Sequence, residues 1–286
     1  MRHMVIGRPK RAVLALLTIA AALARGTPAD AAAPVPVSIA ALGDSVSRAT
    51  DVCCWYGDHP SQSWSTGYNP FGPVDSHLER LIGLDPAIKG DEYNDAWAGA
   101  RMADADEQAA AAVSHGAQYV TIFLGANDVC APSPSAMTSV ANFRSQFTAA
   151  MSVLQSGLPA GAHIFVASIP NVLRLYRLFK DDVIARTIWH LFHVCQSVLA
   201  STSTSADRGA AHDRLVAFNT VLSDVCASFV NCRFDRLAVF RYRFAAHEVS
   251  KLDYFHPNLG GQSALARVTW ERSWWPSAIP SAPGPM

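Results

Sequence analysis

The chain has 286 residues, half of them hydrophobic and 16% charged, which suits one large globular domain and excludes an intrinsically disordered protein. Its 23 basic and 23 acidic residues balance to a formal net charge of zero. Lys and Arg form no basic stripe, so the chain lacks the electrostatic footprint of a nucleic-acid binder.

Arg2, Arg8, Lys10 and Arg11 precede an apolar run over 12–24 and then Ala29-Asp30-Ala31-Ala32-Ala33. This is the basic, apolar and small-residue pattern of a secretory leader. A bilayer span needs roughly 20 apolar residues, and this run is shorter. A signal peptide over 1–33, a domain over 34–275 and a Pro-rich disordered tail over 276–286 are therefore expected, with the mature protein outside the cell. Export makes the six cysteines intelligible as disulfide candidates: Cys53, Cys54, Cys130, Cys195, Cys226 and Cys232. The spacing of Cys226 and Cys232 suits a short local loop. The other pairings do not follow from sequence. Cys130 with Cys195 is the working assignment, which leaves Cys53 and Cys54 to form a vicinal pair or to seek other partners. No C-x-x-C pair exists and the histidines do not cluster with the cysteines, so no metal is expected.

The apolar run over 35–42 predicts a buried strand that ends in Gly43-Asp44-Ser45. A long irregular loop follows over 48–68, whose Trp55, Tyr56, Trp64 and Tyr68 either line a cleft or cover the core edge. Helical spacing over 74–82 is followed by a short strand over 92–97 and an alanine-rich helix over 102–114. The β-branched and aromatic run over 119–124 is a strand that ends in Gly125-Ala126-Asn127-Asp128. An amphipathic helix over 135–156 precedes a strand over 164–169. The apolar stretch over 172–200 breaks the rhythm as a helical insertion. A polar linker over 201–205, a helix over 213–229 and a strand over 230–234 come next, and 241–250 has no clear pattern. Asn258 caps a last helix that runs through Trp270. Strand and helix alternate as in βαβ units with a parallel sheet.

A serine hydroxyl needs a base, and the base needs an orienting acid. Asp253-Tyr254-Phe255-His256 places a carboxylate and an imidazole three residues apart, close enough to share one turn. Acyl transfer also needs donors aimed at a developing oxyanion. The backbone N–H of Ser45, the N–H of Gly99 and the side-chain amide of Asn127 all follow predicted strands. In a parallel sheet, those strand ends share one edge. The α/β-hydrolase signature G-x-S-x-G and the zinc signature H-E-x-x-H are absent.

Gly43-Asp44-Ser45, Gly99, Gly125-Ala126-Asn127-Asp128 and Asp253-Tyr254-Phe255-His256 occur in the order of the blocks of the SGNH hydrolase superfamily, or GDSL esterases and lipases. The chain resembles that family, in particular its secreted actinobacterial members, with Val46 where the family name has leucine. The resemblance implies an α/β, flavodoxin-like three-layer α/β/α sandwich with a central parallel sheet. It implies ester hydrolysis through an acyl-enzyme, with Ser45, Asp253 and His256 as the triad and Ser45, Gly99 and Asn127 as the oxyanion hole. Lipid or aryl esters are the expected substrates. A carbohydrate O-deacetylase or an acyltransferase is the alternative on this fold, and a non-catalytic secreted binding protein is the alternative of another class. No cofactor, no nucleic acid, no stable membrane anchor and a monomeric state are expected.

Overall fold

The computed structural model describes residues 33–276, together with Met1 and His3. The expected leader and Pro-rich tail, apart from their edge residues, lie outside the described residues. In chain order the elements are β1 (Ile39–Gly43), α1 (His77–Leu84), β2 (Glu92–Asn94), α2 (Ala105–Ser114), β3 (Tyr119–Phe123), α3 (Ala126–Val129), α4 (Val140–Gly157) and β4 (His163–Val166). They continue with α5 (Leu173–Phe179), α6 (Val183–Leu191), α7 (Gln196–Leu199), α8 (Ser205–Cys226), β5 (Cys232–Phe234), α9 (Ala238–Arg241) and α10 (Leu259–Trp270).

The five strands pair in the order β2-β1-β3-β4-β5, and every pairing is parallel. This is the flavodoxin-like doubly wound order, which reverses direction at β1 and β3. Side chains of a strand alternate between its faces, and both faces here are apolar. Ala40, Leu42, Val120, Ile122, Ile164 and Val166 face one core, shared with α2, α4 and α8. Ile39, Tyr119, Phe123 and Phe165 face the other, shared with α1 and α10. The result is the expected three-layer α/β/α sandwich. The second core also buries an imidazole. His77 on α1 is fully buried, with Nδ1 at 2.9 Å from the Tyr119 hydroxyl and Nε2 at 2.8 Å from Thr269 Oγ1. Burial, with the Arg80 charge adding to it, pushes its pKa down to about 3, so it joins α1, β3 and α10 as a neutral ring.

Several boundaries differ from the expectations, each for a local reason. β1 starts at Ile39 rather than 35, because Pro36 has no N–H to give a sheet and Val37 N–H goes to Gln118 Oε1. α1 begins three residues later than expected, where the Ser76 hydroxyl caps Glu79 N–H. β2 is only three residues long, at the sheet edge. α4 starts at Val140, because Ser139 is its cap and 134–136 form a separate 3-10 turn. α8 begins eight residues before the expected start. Thr204 and Asp207 form a reciprocal capping box there, ahead of a first turn and a half with little apolar periodicity. The insertion is three short helices, α5 to α7. α9 and a 3-10 turn over Ala246–Glu248 lie in or beside the stretch without a clear pattern.

Disulfides join Cys130 to Cys195 and Cys226 to Cys232. In the chain-entropy view, closing the first loop, 65 residues apart, stabilises the fold by about 4 kcal/mol and the second, 6 apart, by about 2 kcal/mol. Cys53 and Cys54 form no disulfide. They are free cysteines, Cys53 half-buried and Cys54 exposed. Neighbouring Cα atoms sit about 3.8 Å apart, closer than the usual disulfide span.

Candidate active site

Ser45 follows β1 directly, at the carboxyl edge of the sheet. The turn that presents it is held from three sides. Gln108 on α2, fully buried, donates from Nε2 to Gly43 O at 2.9 Å and accepts Gly43 N–H at 2.7 Å. Gln262 on α10 donates to Val46 O at 2.9 Å and accepts Trp64 N–H at 2.9 Å. Asp44, also buried, accepts Val46 N–H at 2.9 Å. Burial raises the Asp44 pKa to about 6, against the opposing pull of that bond and of the nearby His256. Gly43 is required for space: a Cβ there would sit 2.2 Å from Ser47 Oγ. Sequence reasoning missed Gln108 and Gln262. Their signal was a glutamine on the buried face of each helix, among Ala105, Ala109 and Ala112 or Leu265 and Ala266.

The second half of the site is the turn before α10. His256 Nε2 lies 2.7 Å from Ser45 Oγ, and His256 Nδ1 is bonded to Asp253 Oδ2. Asp253 Oδ1 accepts the N–H groups of Phe255 at 2.9 Å and His256 at 3.1 Å. Burial works against the Asp253 carboxylate, but its bond to His256, the His256 charge and those two N–H groups outweigh it and keep its pKa below the ordinary value. For His256, burial works against the cation. The Asp253 bond and charge, with Asp44 and Asp51 behind them, outweigh it and raise the pKa above 6.5. Tyr254, inside this turn, has φ of 56°, a left-handed conformation that an aromatic residue adopts only under support. The insertion supplies that support. Trp189 Nε1 donates to Tyr254 O at 3.2 Å, and the Phe179 ring meets the Tyr254 ring edge-on at 5.4 Å.

Asp51 is a further carboxylate that sequence reasoning missed. An Asp51 oxygen, an Asp253 oxygen and a His256 ring nitrogen all lie within 4.8 Å of one another. Asp51 is fixed there by Gly57 N–H on its Oδ1 at 2.7 Å and by the Ser250 hydroxyl on its carbonyl at 2.5 Å. Among the described residues this is the grouping whose spacing could seat a cation. Both Asp253 oxygens are already engaged, however, and capture of His256 by a metal would remove the base. No signal short of the folded loop places Asp51, 202 positions before Asp253, beside it.

The third group comes from the ends of β2 and β3. Gly125, with φ of 121°, starts α3, and a Cβ there would meet Ile169 Cδ1 at 2.5 Å. Asn127 and Ser45 line the same pocket. One Asn127 Nδ2–H goes to Ala100 O at 2.9 Å, and no described residue accepts the other. Asp128 accepts Met102 N–H at 2.9 Å, so α3 fixes the 99–102 segment through both side chains. Gly99 is exposed with φ of 82° and does not line the pocket. The N–H groups of Ser45 and Gly99 have no acceptor among the described residues. Buried donors are normally paired, so the Ser45 amide, on a residue 7% exposed, is a donor that awaits a partner.

The pocket beside Ser45 is a narrow cleft that opens to solvent. Its walls are mostly apolar: Val46 and Phe123 from the sheet edge, Val172 and Leu175 from the insertion, and Val249 and Phe255 from the catalytic turn. None of the aromatic residues of the 48–68 loop reaches it. Trp64 is core, while Trp55 and Tyr56 face solvent, the Tyr56 hydroxyl bonding Leu252 O at 3.0 Å.

The family model of GDSL-like lipases and acylhydrolases matches residues 39–268, from β1 to α10. Comparison with curated proteins finds no match. A structure from Parabacteroides merdae, provisionally assigned as a GDSL-like lipase, aligns with a TM-score of 0.53 at 17% identity, over 85% of this chain and 96% of that one. An extracellular lipase from Streptomyces rimosus aligns with a TM-score of 0.47 at 17% identity, over 82% and 99%. A family 3 carbohydrate esterase from Clostridium thermocellum aligns at 0.45 and 12% identity, over 82% and 94%. With a parallel sheet of flavodoxin-like order and a family match over four fifths of its length, the chain belongs to the GDSL-like lipase/acylhydrolase family, within the SGNH hydrolase superfamily.

Proposed function

We propose that the protein is a secreted, metal-independent carboxylic-ester hydrolase that works through an acyl-enzyme. The observation that carries this reading is the unbroken relay from Asp253 through His256 to Ser45, opening on an apolar pocket. Ser45 Oγ attacks the acyl carbon while His256 Nε2 takes its proton. The carbonyl electrons move to oxygen, which the Ser45 N–H and the free Asn127 N–H receive; Gly99, outside the pocket lining, is a third donor on the strength of the family resemblance alone. The intermediate collapses, His256 returns the proton to the leaving alcohol, and a water repeats the cycle to free the acid. Asp253 holds the tautomer that leaves Nε2 free and stabilises the imidazolium. The leader pattern and two disulfides support export, and no described helix is long and apolar enough to cross a membrane.

The apolar pocket favours an acyl chain over the acetyl group of a sugar ester. A series of p-nitrophenyl esters from acetate to palmitate tests this. kcat/KM is expected to rise with chain length to a medium chain. A maximum at acetate would favour the O-deacetylase reading instead.

Asn127→Ala is expected to lower kcat by on the order of 10²–10³, with KM nearly unchanged, because an oxyanion donor acts on the transition state. A rise in KM at constant kcat would assign Asn127 to ground-state binding.

The base must be neutral to act. Its raised pKa means that kcat/KM falls as pH drops through a value above 6.5. Asp51→Asn removes one of the charges that favour the cation, so this limb is expected to move to lower pH. A limb that stays in place would show that Asp51 does not reach His256 electrostatically.

A further inference from the structure

α6 is apolar on two faces. Ala185 and Trp189, at i and i+4, are buried against the main core, and Trp189 is bonded to the catalytic turn. A second apolar set, Val183, Ile184 and Leu191 on the helix with Phe192 just past its end, is exposed, while Ile188 between them is half-buried against the core. Its members Val183, Ile184, Leu191 and Phe192 are 62–65% exposed. Large side chains this exposed are ordinary singly, but contiguous on one helix they mark a surface meant to be covered.

The edges of the stripe indicate what covers it. α6 contains no acidic residue, and Arg186 and His190 flank the stripe on its polar side. Two carboxylates stand at the start of the helix, Asp181, paired with Lys180, and the N-cap Asp182, which accepts the N–H groups of Ile184 and Ala185. Arg177 and Arg186 are exposed and have no ion-pair partner among the described residues. An apolar stripe with a cationic border is the pattern of a helix that lies in a lipid–water interface, and the border matches anionic headgroups. Thr187, the polar residue between Val183 and Leu191, turns its hydroxyl back onto Val183 O at 2.9 Å. The position agrees. Trp189 and Phe179 tie the insertion to Tyr254, and on the other side of that turn Tyr56 is bonded to Leu252 beside the exposed Trp55. Trp and Tyr suit the headgroup level, with an apolar body and a polar tip. The exposed apolar surface therefore flanks the turn that carries Asp253 and His256, and α5, the element before α6, forms a wall of the pocket.

We propose that the solvent-facing stripe of α6, with Trp55 and Tyr56, seats the protein reversibly on an anionic lipid surface, with the mouth of the Ser45 pocket turned toward it. The inference deepens the ester-hydrolase reading and rests on it for its purpose, but its test does not. Vesicles of ether-linked phosphatidylglycerol contain no ester, so flotation with them reads binding whether or not the site hydrolyses anything. The full chain is expected to float with these vesicles, to float much less with ether-linked phosphatidylcholine, and to be released by added salt. Ile184→Glu with Leu191→Glu is expected to reduce binding at least ten-fold while leaving hydrolysis of soluble p-nitrophenyl acetate unchanged, which also shows that the variant is folded. Arg177→Gln with Arg186→Gln is expected to abolish the preference for the anionic vesicles. Failure of the wild type to float, equal binding by the glutamate variant, or a concentration-dependent dimer that the glutamate variant loses would each overturn the proposal, the last by showing that a second copy covers the stripe.

Discussion

Ser45→Ala is expected to lower kcat on p-nitrophenyl butyrate by on the order of 10⁶, to what the oxyanion donors and binding alone sustain. The melting temperature should move by about 4 °C or less. The change deletes one hydroxyl whose bond is to His256, and about 1 kcal/mol shifts Tm by only about 2–4 °C in a domain of this size. A fluorophosphonate probe should label the wild type and leave the variant unlabelled. Residual activity near the wild-type level would reject Ser45 as the nucleophile, and with it the acyl-enzyme. Labelling of neither protein would favour a non-catalytic binding protein.

Asp253→Asn should cost on the order of 10⁴ in kcat, the scale for an orienting carboxylate in a serine triad. The amide keeps the shape, and its oxygen can still accept the N–H groups of Phe255 and His256, so the turn survives. Its NH₂ then donates to His256 Nδ1. The ring is forced into the tautomer with the proton on Nε2, pointing at the serine it should deprotonate. The lost charge also lowers the His256 pKa, so the acid limb should move down as kcat falls. An effect confined to KM would remove Asp253 from the relay.

The parts of the site legible in the sequence are those whose chemistry is local. β1, β3 and β4 are apolar runs that break at a glycine or proline, so the strands before Ser45 and Asn127 could be found from composition. Asp253 and His256 share one turn, so their spacing was readable. The remaining parts depend on the fold. Gln108 reads as a polar interruption of an alanine helix until the structure brings Gly43 to its amide. Asp51 lies in a loop whose course no periodicity fixes. The start of α8 was missed because a capping box, rather than an apolar stripe, sets it. Composition left the aromatic loop open between cleft and core: Trp64 is swallowed by the core and Trp55 turned outward, while the pocket walls come from the insertion and the catalytic turn.

The bonds that complete the site join opposite ends of the chain. Ser45 meets His256 across 211 positions, Val46 meets Gln262 across 216, and the Asp51 carbonyl meets Ser250 across 199. Closing a flexible loop of that length costs about 5 kcal/mol of chain entropy before a contact offsets it. The strands and helices between must therefore assemble first and bring the ends within reach. A chain emerging from the ribosome carries its serine 211 positions ahead of its base. Until α10 docks, Ser45 has no general base, and a product truncated before residue 256 would retain all five strands yet lack the base. The activity is thus timed by the docking of the segment that carries His256 and α10.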